Sequence, residues 1–193
     1  MAPGPLPPFA AWRHVGAREG FEVVFLQEDG RRAEGHTTAI EDGEPFSVGY
    51  TIELDARHRA RRARISARSR RGTATVRIDG DGEGGWRVNG RPVAGLDGCL
   101  DVDFESSALT NAFPVRRLGL APGEQAEAPA VYVRALDLAV ERLEQTYARR
   151  PPLRSGEGYD YACPAFDTRC TLVYDAAGLV LDYPGLAVRM APP

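Results

Sequence analysis

Three carboxylates, Asp97, Asp101 and Asp103, stand close together ahead of a Thr110-Asn111 pair, Pro114 and two adjacent arginines, Arg116 and Arg117. Such a set can hold a metal, share a proton as an acid pair, or form ion pairs inside a fold. Asp101 and Asp103 are two apart, so on a strand they share a face, with Val102 and Phe104 on the other. No histidine stands beside them. His14, His36 and His58 are scattered and form no H-x-x-x-H pair. The reading is therefore structural, a corner in which the acids of 97–103 pair with Arg116 or Arg117. Cys99, in the turn Asp97-Gly98-Cys99, needs a positioned base to become a nucleophile. The sequence supplies no signature for one, so it reads as a buried thiol. Ser106 and Ser107 lack a G-x-S-x-G elbow and read as caps of a single helical turn over 108–113. Pro114 ends that turn, and the chain leaves it extended, with Arg116 and Arg117 on opposite faces. No catalytic residue, metal ligand or cofactor is assigned.

Two further constellations carry charge or glycine. The run 57–71 holds eight arginines and no acid. Phosphate contacts need such charge density, but the run has no aromatics for base stacking and no nucleic-acid module signature. On a strand, Arg62, Arg64, Arg68 and Arg70 form an outward row that faces solvent, as charged rows that protect β-edges do; contact with an anionic headgroup or phosphate is the alternative. Gly80, Gly82, Gly84 and Gly85 are followed by no G-K-[ST], so they read as a hairpin turn. Trp12 and Trp86 read as core or sheet-end plugs.

The elements that must position these groups follow from length and pattern. A chain of 193 residues suits one domain. Its net charge of −3 argues against a polyanion binder, and every basic residue is arginine. No apolar run approaches the ~20 residues that span a bilayer. The start, MAPGPLPPFAAW, has neither a basic nor an apolar signal region, so the expected compartment is the cytoplasm. Three cysteines argue against a disulfide framework, although Cys163 and Cys170 are able to pair under oxidation.

From Phe9 onward apolar residues recur every second position, after a flexible Pro-rich arm at 1–8. Phe21, Val23 and Phe25 share a face. Val48, Tyr50, Ile52 and Leu54 share another. Ala63, Ile65 and Ala67 alternate with arginines, and Ala74, Val76 and Ile78 with polar residues. Turn signals separate the runs: Glu28-Asp29-Gly30, Glu41-Asp42-Gly43, Asp79-Gly80-Asp81-Gly82, Val88-Asn89-Gly90 and Asp175–Gly178. That spacing predicts antiparallel β-structure. Residues 135–150 fit a helix by spacing and propensity, and fit two strands with a bulge between them. A single apolar-faced layer must curl on itself or find a cover.

DGCLDVDF followed by SALTNAFPVRRL resembles the signature of the Putative glycolipid-binding family, bacterial domains long listed as uncharacterised. Flanking pieces agree: Trp12, GYTIELDA at 49–56, GGWRVNG at 84–90, EQTY at 144–147, YDY at 159–161 and DAAGLVLDYPGLAVR at 175–189. The sequence departs from the family pattern at Ser107-Ala108, Phe113 and Arg59. The resemblance implies strands over 135–150. It also implies a mainly β domain over 9–193, a strongly curved antiparallel sheet or partly closed barrel like those of bacterial lipid and lipoprotein carriers.

The expected function is binding of a lipid or glycolipid in the concave face, without catalysis. The alternatives are an enzyme of unknown reaction on such a ligand and a structural β-dimer. Tyr50, Ile52, Ile65, Val76, Trp86, Arg116 and Arg117 are the expected ligand-binding residues. Asp97, Cys99, Asp101, Asp103, Thr110, Asn111 and Pro114 are expected to be structural. The expected partners are the amphiphile and a second copy of the chain, with no nucleic acid and no stable membrane insertion.

Overall fold

The structure, a computed structural model, describes residues 3–27 and 30–190. The turn signal at Glu28-Asp29 and the first two residues of the Pro-rich arm lie outside them. Strands β1 (Phe9–His14), β2 (Glu19–Leu26), β3 (Arg32–Glu41), β4 (Glu44–Leu54), β5 (Ala60–Ser69) and β6 (Gly72–Gly80) follow one another as hairpins. Next come β7 (Trp86–Val88), β8 (Arg91–Pro92), β9 (Asp101–Phe104), helix α1 (Ala112–Leu118), β10 (Gln125–Glu127), β11 (Ala130–Val133) and β12 (Val140–Leu143). The chain closes with β13 (Thr146–Arg149), β14 (Glu157–Cys163), β15 (Thr168–Tyr174), β16 (Val180–Tyr183) and β17 (Ala187–Arg189).

Fourteen strands form one antiparallel sheet in the order β10-β13-β14-β15-β16-β17-β1-β2-β3-β4-β5-β6-β7-β8. It is strongly curved, and its two edges stay apart, so it is not a closed barrel. The terminal strands meet in its middle, with Trp12 of β1 opposite Arg189 of β17 and Glu22 of β2. Strands β9, β11 and β12 form a second sheet, in which β9 and β11 run parallel. The period-two reading holds for the long strands. The turns at Asp42-Gly43 and Asn89-Gly90 take positive φ at both residues, the twist that two-residue hairpins require.

The stretch that reads as a corner in sequence is the filling of the curve. After β8, from Val93 to Leu118, the chain runs along the inner face and bonds to strands on several sides. Trp86 Nε1 donates to the Cys99 carbonyl at 2.9 Å, and Ala60 N to the Leu100 carbonyl at 2.8 Å. Thr37 Oγ1 donates to the Ser106 carbonyl at 2.7 Å, and the Tyr174 hydroxyl to the Asn111 carbonyl at 3.2 Å. Phe104 stacks edge-on against Tyr50, ring centroids 5.3 Å apart. Burying side chains of this size stabilises by roughly 1.5–3 kcal/mol each.

Strand β9 is buried on both faces, Asp101 and Asp103 included. Several local expectations are corrected. Ser106 and Ser107 cap nothing; a 3-10 turn over Leu109–Asn111 leads directly into α1. Pro114 does not end a helix. It lies in the first turn of α1, where the missing amide has no intrahelical acceptor to lose. The helix ends instead at Gly119, in the left-handed conformation. Arg116 and Arg117 are therefore helical, not extended. Residues 135–150 hold no helix: 135–139 belong to the β11–β12 turn, closed by Arg134 N to the Ala139 carbonyl at 3.0 Å, and β12 and β13 follow, so the slip in the pattern is a turn and not a bulge. On β2 the face carrying Phe21, Val23 and Phe25 is the outer one; Glu22 and Val24 point inward and are fully buried. Gly4 N donates to the Ala176 carbonyl at 2.8 Å, which lays this part of the Pro-rich arm along the turn before β16. All three cysteines are free. No helix among the described residues is long and apolar enough to cross a membrane.

Candidate functional site

Between the inner segment and the β14–β1 side of the sheet lies a cavity of about 210 Å³, partly open to the surface. Its lining is mixed. His14 comes from the end of β1, Arg18 from the β1–β2 turn, and Asp103 and Glu105 from the end of β9. Aromatic rings stand among them: Tyr132 of β11, beside Asp103 across the β9–β11 pair, Tyr161 of β14, Tyr183 of β16, and Phe166 from the β14–β15 turn at the mouth. Asn111, Ser107 and Ala108 of the inner segment complete it. The inward side chains alternate along each strand, so each strand gives the cavity only one or two residues.

The polar groups are held in place. Asp103 Oδ1 accepts from Thr110 Oγ1 and Oδ2 from Gln145 Nε2, both at 2.8 Å. Burial pushes the Asp103 carboxyl up to about 6, against the pull of those hydrogen bonds. Burial, with Arg18 nearby, pushes His14 down to about 4, so its imidazole is neutral at pH 7. His14 is 6% exposed, and its Nε2 has no hydrogen-bond partner among the described residues. Arg18 donates to the Glu105 carbonyl, pairs with Glu41 at 3.2 Å and lies over the Phe46 ring. Arg134 lies over both Tyr132 and Phe166, 5.6 Å from each centroid, bracing the mouth. Burial raises the Tyr132 and Tyr161 hydroxyls far out of the titratable range, so both stay protonated and able to donate.

Behind this wall a second buried acid ties β2, β4 and the inner segment together. Glu22 Oε1 accepts from the Tyr50 hydroxyl at 2.6 Å and from Ser107 Oγ; Oε2 accepts from Ala108 N at 2.7 Å. The Tyr147 hydroxyl lies 3.0 Å from both Asn111 Oδ1 and Gln145 Oε1, which extends the Asp103 network.

The residues expected from sequence to bind ligand are dispersed. Tyr50, Ile52, Ile65, Val76 and Trp86 are buried, and the inner segment covers their side of the sheet. The backbones of Tyr50, Ile65 and Val76 border a separate groove on the outer face. Arg116 donates to the carbonyls of Gly4 and Ala177. Arg117 pairs with Asp101. Of the motif residues, Asp103 and Asn111 line the cavity. Thr110 holds Asp103, while Asp97, Cys99 and Pro114 stand elsewhere along the inner segment. Among the described residues no cluster of His, Cys, Asp or Glu is arranged to hold a metal.

The family model described as "Putative glycolipid-binding" matches residues 9–189. The chain belongs to this family. A crystal structure of a DUF1089 family protein from Pseudomonas aeruginosa is 34% identical, and the match covers 93% of this chain and 95% of that one with a TM-score of 0.80. No match exists among curated proteins. The motif that carries the glycolipid-binding resemblance, residues 97–120, is the segment that fills the curve and supplies Asp103 and Asn111 to the cavity. His14, Arg18, Tyr132, Phe166 and Tyr183 were not legible as site residues. Tyr161 was not either; the YDY piece marked it only as part of the family resemblance.

Proposed function

We propose that this protein binds a glycolipid and seats the sugar of its headgroup in the 210 Å³ cavity. The observation that carries this reading is the mixed lining, polar groups and aromatic rings side by side. Aromatic rings take the C–H face of a sugar, while Asp103, Glu105 and the unpartnered His14 Nε2 accept from its hydroxyls and Arg18 donates. The volume is below the ~300 Å³ at which drug-sized pockets begin, so it suits a single sugar and not a sugar with its chain. The acyl chain leaves through the mouth beside Phe166, which is 43% exposed. Both Asp103 oxygens are committed to Thr110 and Gln145, which favours a binding group over a proton-transfer group. The test is solvent extraction of protein purified from its native host, with mass spectrometry of what comes out. Glycosylated lipid in stoichiometric amount is expected. Stoichiometric lipid without sugar would overturn the assignment of the cavity to a sugar.

A further inference from the structure

The outer face of β1 and β2 carries an apolar stripe, with Val188 of β17 beyond Arg13 and Ile40 of β3 beside Glu19 at its margins. Phe25 is 66% exposed, Ile40 54%, Phe21 52% and Phe9 46%. The register sets Phe9 beside Phe25, Ala11 beside Val23, and Arg13 between Phe21 and Val188. These side chains are outside because Glu22 and Val24 take the inward positions of β2. Contiguous apolar surface of this kind marks a surface that meets a partner or a membrane.

The charge beside the stripe selects between them. On the outer faces of β3–β6, Arg32, Arg62 and Arg77 are matched by Glu34, Glu53 and Asp79. Arg13, Arg64 and Arg68 have no acidic partner among the described residues; the unmatched acids stand at the margins of the face, Glu19 and Asp42 at the β2–β3 end beside Ile40 and Asp182 of β16 beside Val188. In a chain of net charge −3, the unpaired charge nearest the phenylalanines is positive: Arg13 beside Phe21, and Arg64 across the groove from Phe25. Between the two runs a groove of about 690 Å³, with Val23 and Phe25 on one wall and Arg64 and Arg77 on the other. Its floor is cleared by Gly49, where a Cβ would stand 2.6 Å from His36 Nε2.

We propose that this face docks the protein on an anionic lipid bilayer. The phenylalanines enter the headgroup boundary, and Arg13, Arg64 and Arg68 meet the acidic headgroups. A second copy of the chain fits less well, because it would bring the same unpaired arginines against their like. Arg13 neighbours His14, so docking brings the bilayer to the strand that also lines the cavity. The inference goes beyond the cavity reading and does not depend on it.

The test is flotation with vesicles of phosphatidylcholine containing phosphatidylglycerol, compared with phosphatidylcholine alone. The protein should float with the anionic vesicles and about ten-fold less with the neutral ones, and added salt should release it. Phe21→Glu with Phe25→Glu should abolish flotation, and Arg64→Glu with Arg68→Glu should reduce it about ten-fold or more. All four side chains are exposed, so melting temperatures should stay put. No flotation of the parent, or equal flotation of the variants, overturns the proposal. A dimer that dissolves in the phenylalanine variant, without vesicle binding by the parent, overturns it in favour of a second copy. Glycoside binding measured on the same variants reports on the cavity separately.

Discussion

Asp101 on β9 and Arg117 in the last turn of α1 face each other inside the curve, Nη2 to Oδ2 at 2.5 Å, with Nε 3.1 and 3.2 Å from the two oxygens. Asp101 is 1% exposed, and burial pushes its carboxyl up while Arg117 pulls it down. Removing one partner strands a buried charge, which costs about 3–5 kcal/mol. Arg117→Ala should therefore lower stability by about that amount in urea denaturation. Arg116→Ala loses hydrogen bonds to two carbonyls and no acid, so its cost should be smaller. Equal, small effects would show that the pair does not hold α1 against β9.

Gly35 is the place where the Glu22 network can be broken without touching it. A Cβ there would stand 2.2 Å from Tyr50 Cζ and 2.3 Å from its hydroxyl. Gly35→Ala must move Tyr50 off Glu22 and should destabilise by at least the ~1–3 kcal/mol of an unsatisfied buried group. Tyr50→Phe removes only the hydroxyl and should cost less than Gly35→Ala. Denaturation midpoints of the two variants check the order; a Gly35→Ala protein as stable as the parent would contradict the packing described.

The strands of this fold were legible because their apolar residues keep step two at a time, and because Asp42-Gly43 and Asn89-Gly90 announce their turns. What stayed hidden was which face is inside. On β2 the larger residues, Phe21 and Phe25, point out, and Glu22 points in. Only partners distant in sequence, Tyr50 and Ser107, make that arrangement tolerable, and no local pattern reports them. Pro114 misled for a related reason, since a proline stops a helix or starts one depending on where the preceding turn begins. The cavity draws one or two residues each from β1, β9, β11, β12, β14, β15, β16 and β17, so spacing along the chain carries almost no trace of it.

Asp103 and His14 make opposite contributions to the pH dependence of stability. The folded protein keeps the Asp103 proton up to about pH 6, whereas the ordinary carboxyl releases it near 3.8. Between those values the folded state holds more protons, so this group's contribution falls as pH rises through the window. His14, lowered from 6.5 to about 4, stays neutral in the folded state while the unfolded chain takes up a proton, so its contribution is lost as pH falls through that range. The stability of the parent relative to Asp103→Asn should therefore drop by on the order of 3 kcal/mol between about pH 4 and about pH 6.5. The same comparison with His14→Phe should run the other way. A flat difference for either variant would contradict the burial assigned to that group.

The most direct measurement is calorimetric titration of a soluble short-chain alkyl glycoside into the parent and into Thr168→Trp. Thr168 lines the cavity near Phe166 and is only half-buried, so an indole there closes the space without overfilling the core. The account predicts saturable one-to-one binding by the parent, no binding by the variant, and the same melting temperature for both. Binding that survives in the variant, or a parent that takes up no glycoside, would contradict a sugar in this cavity.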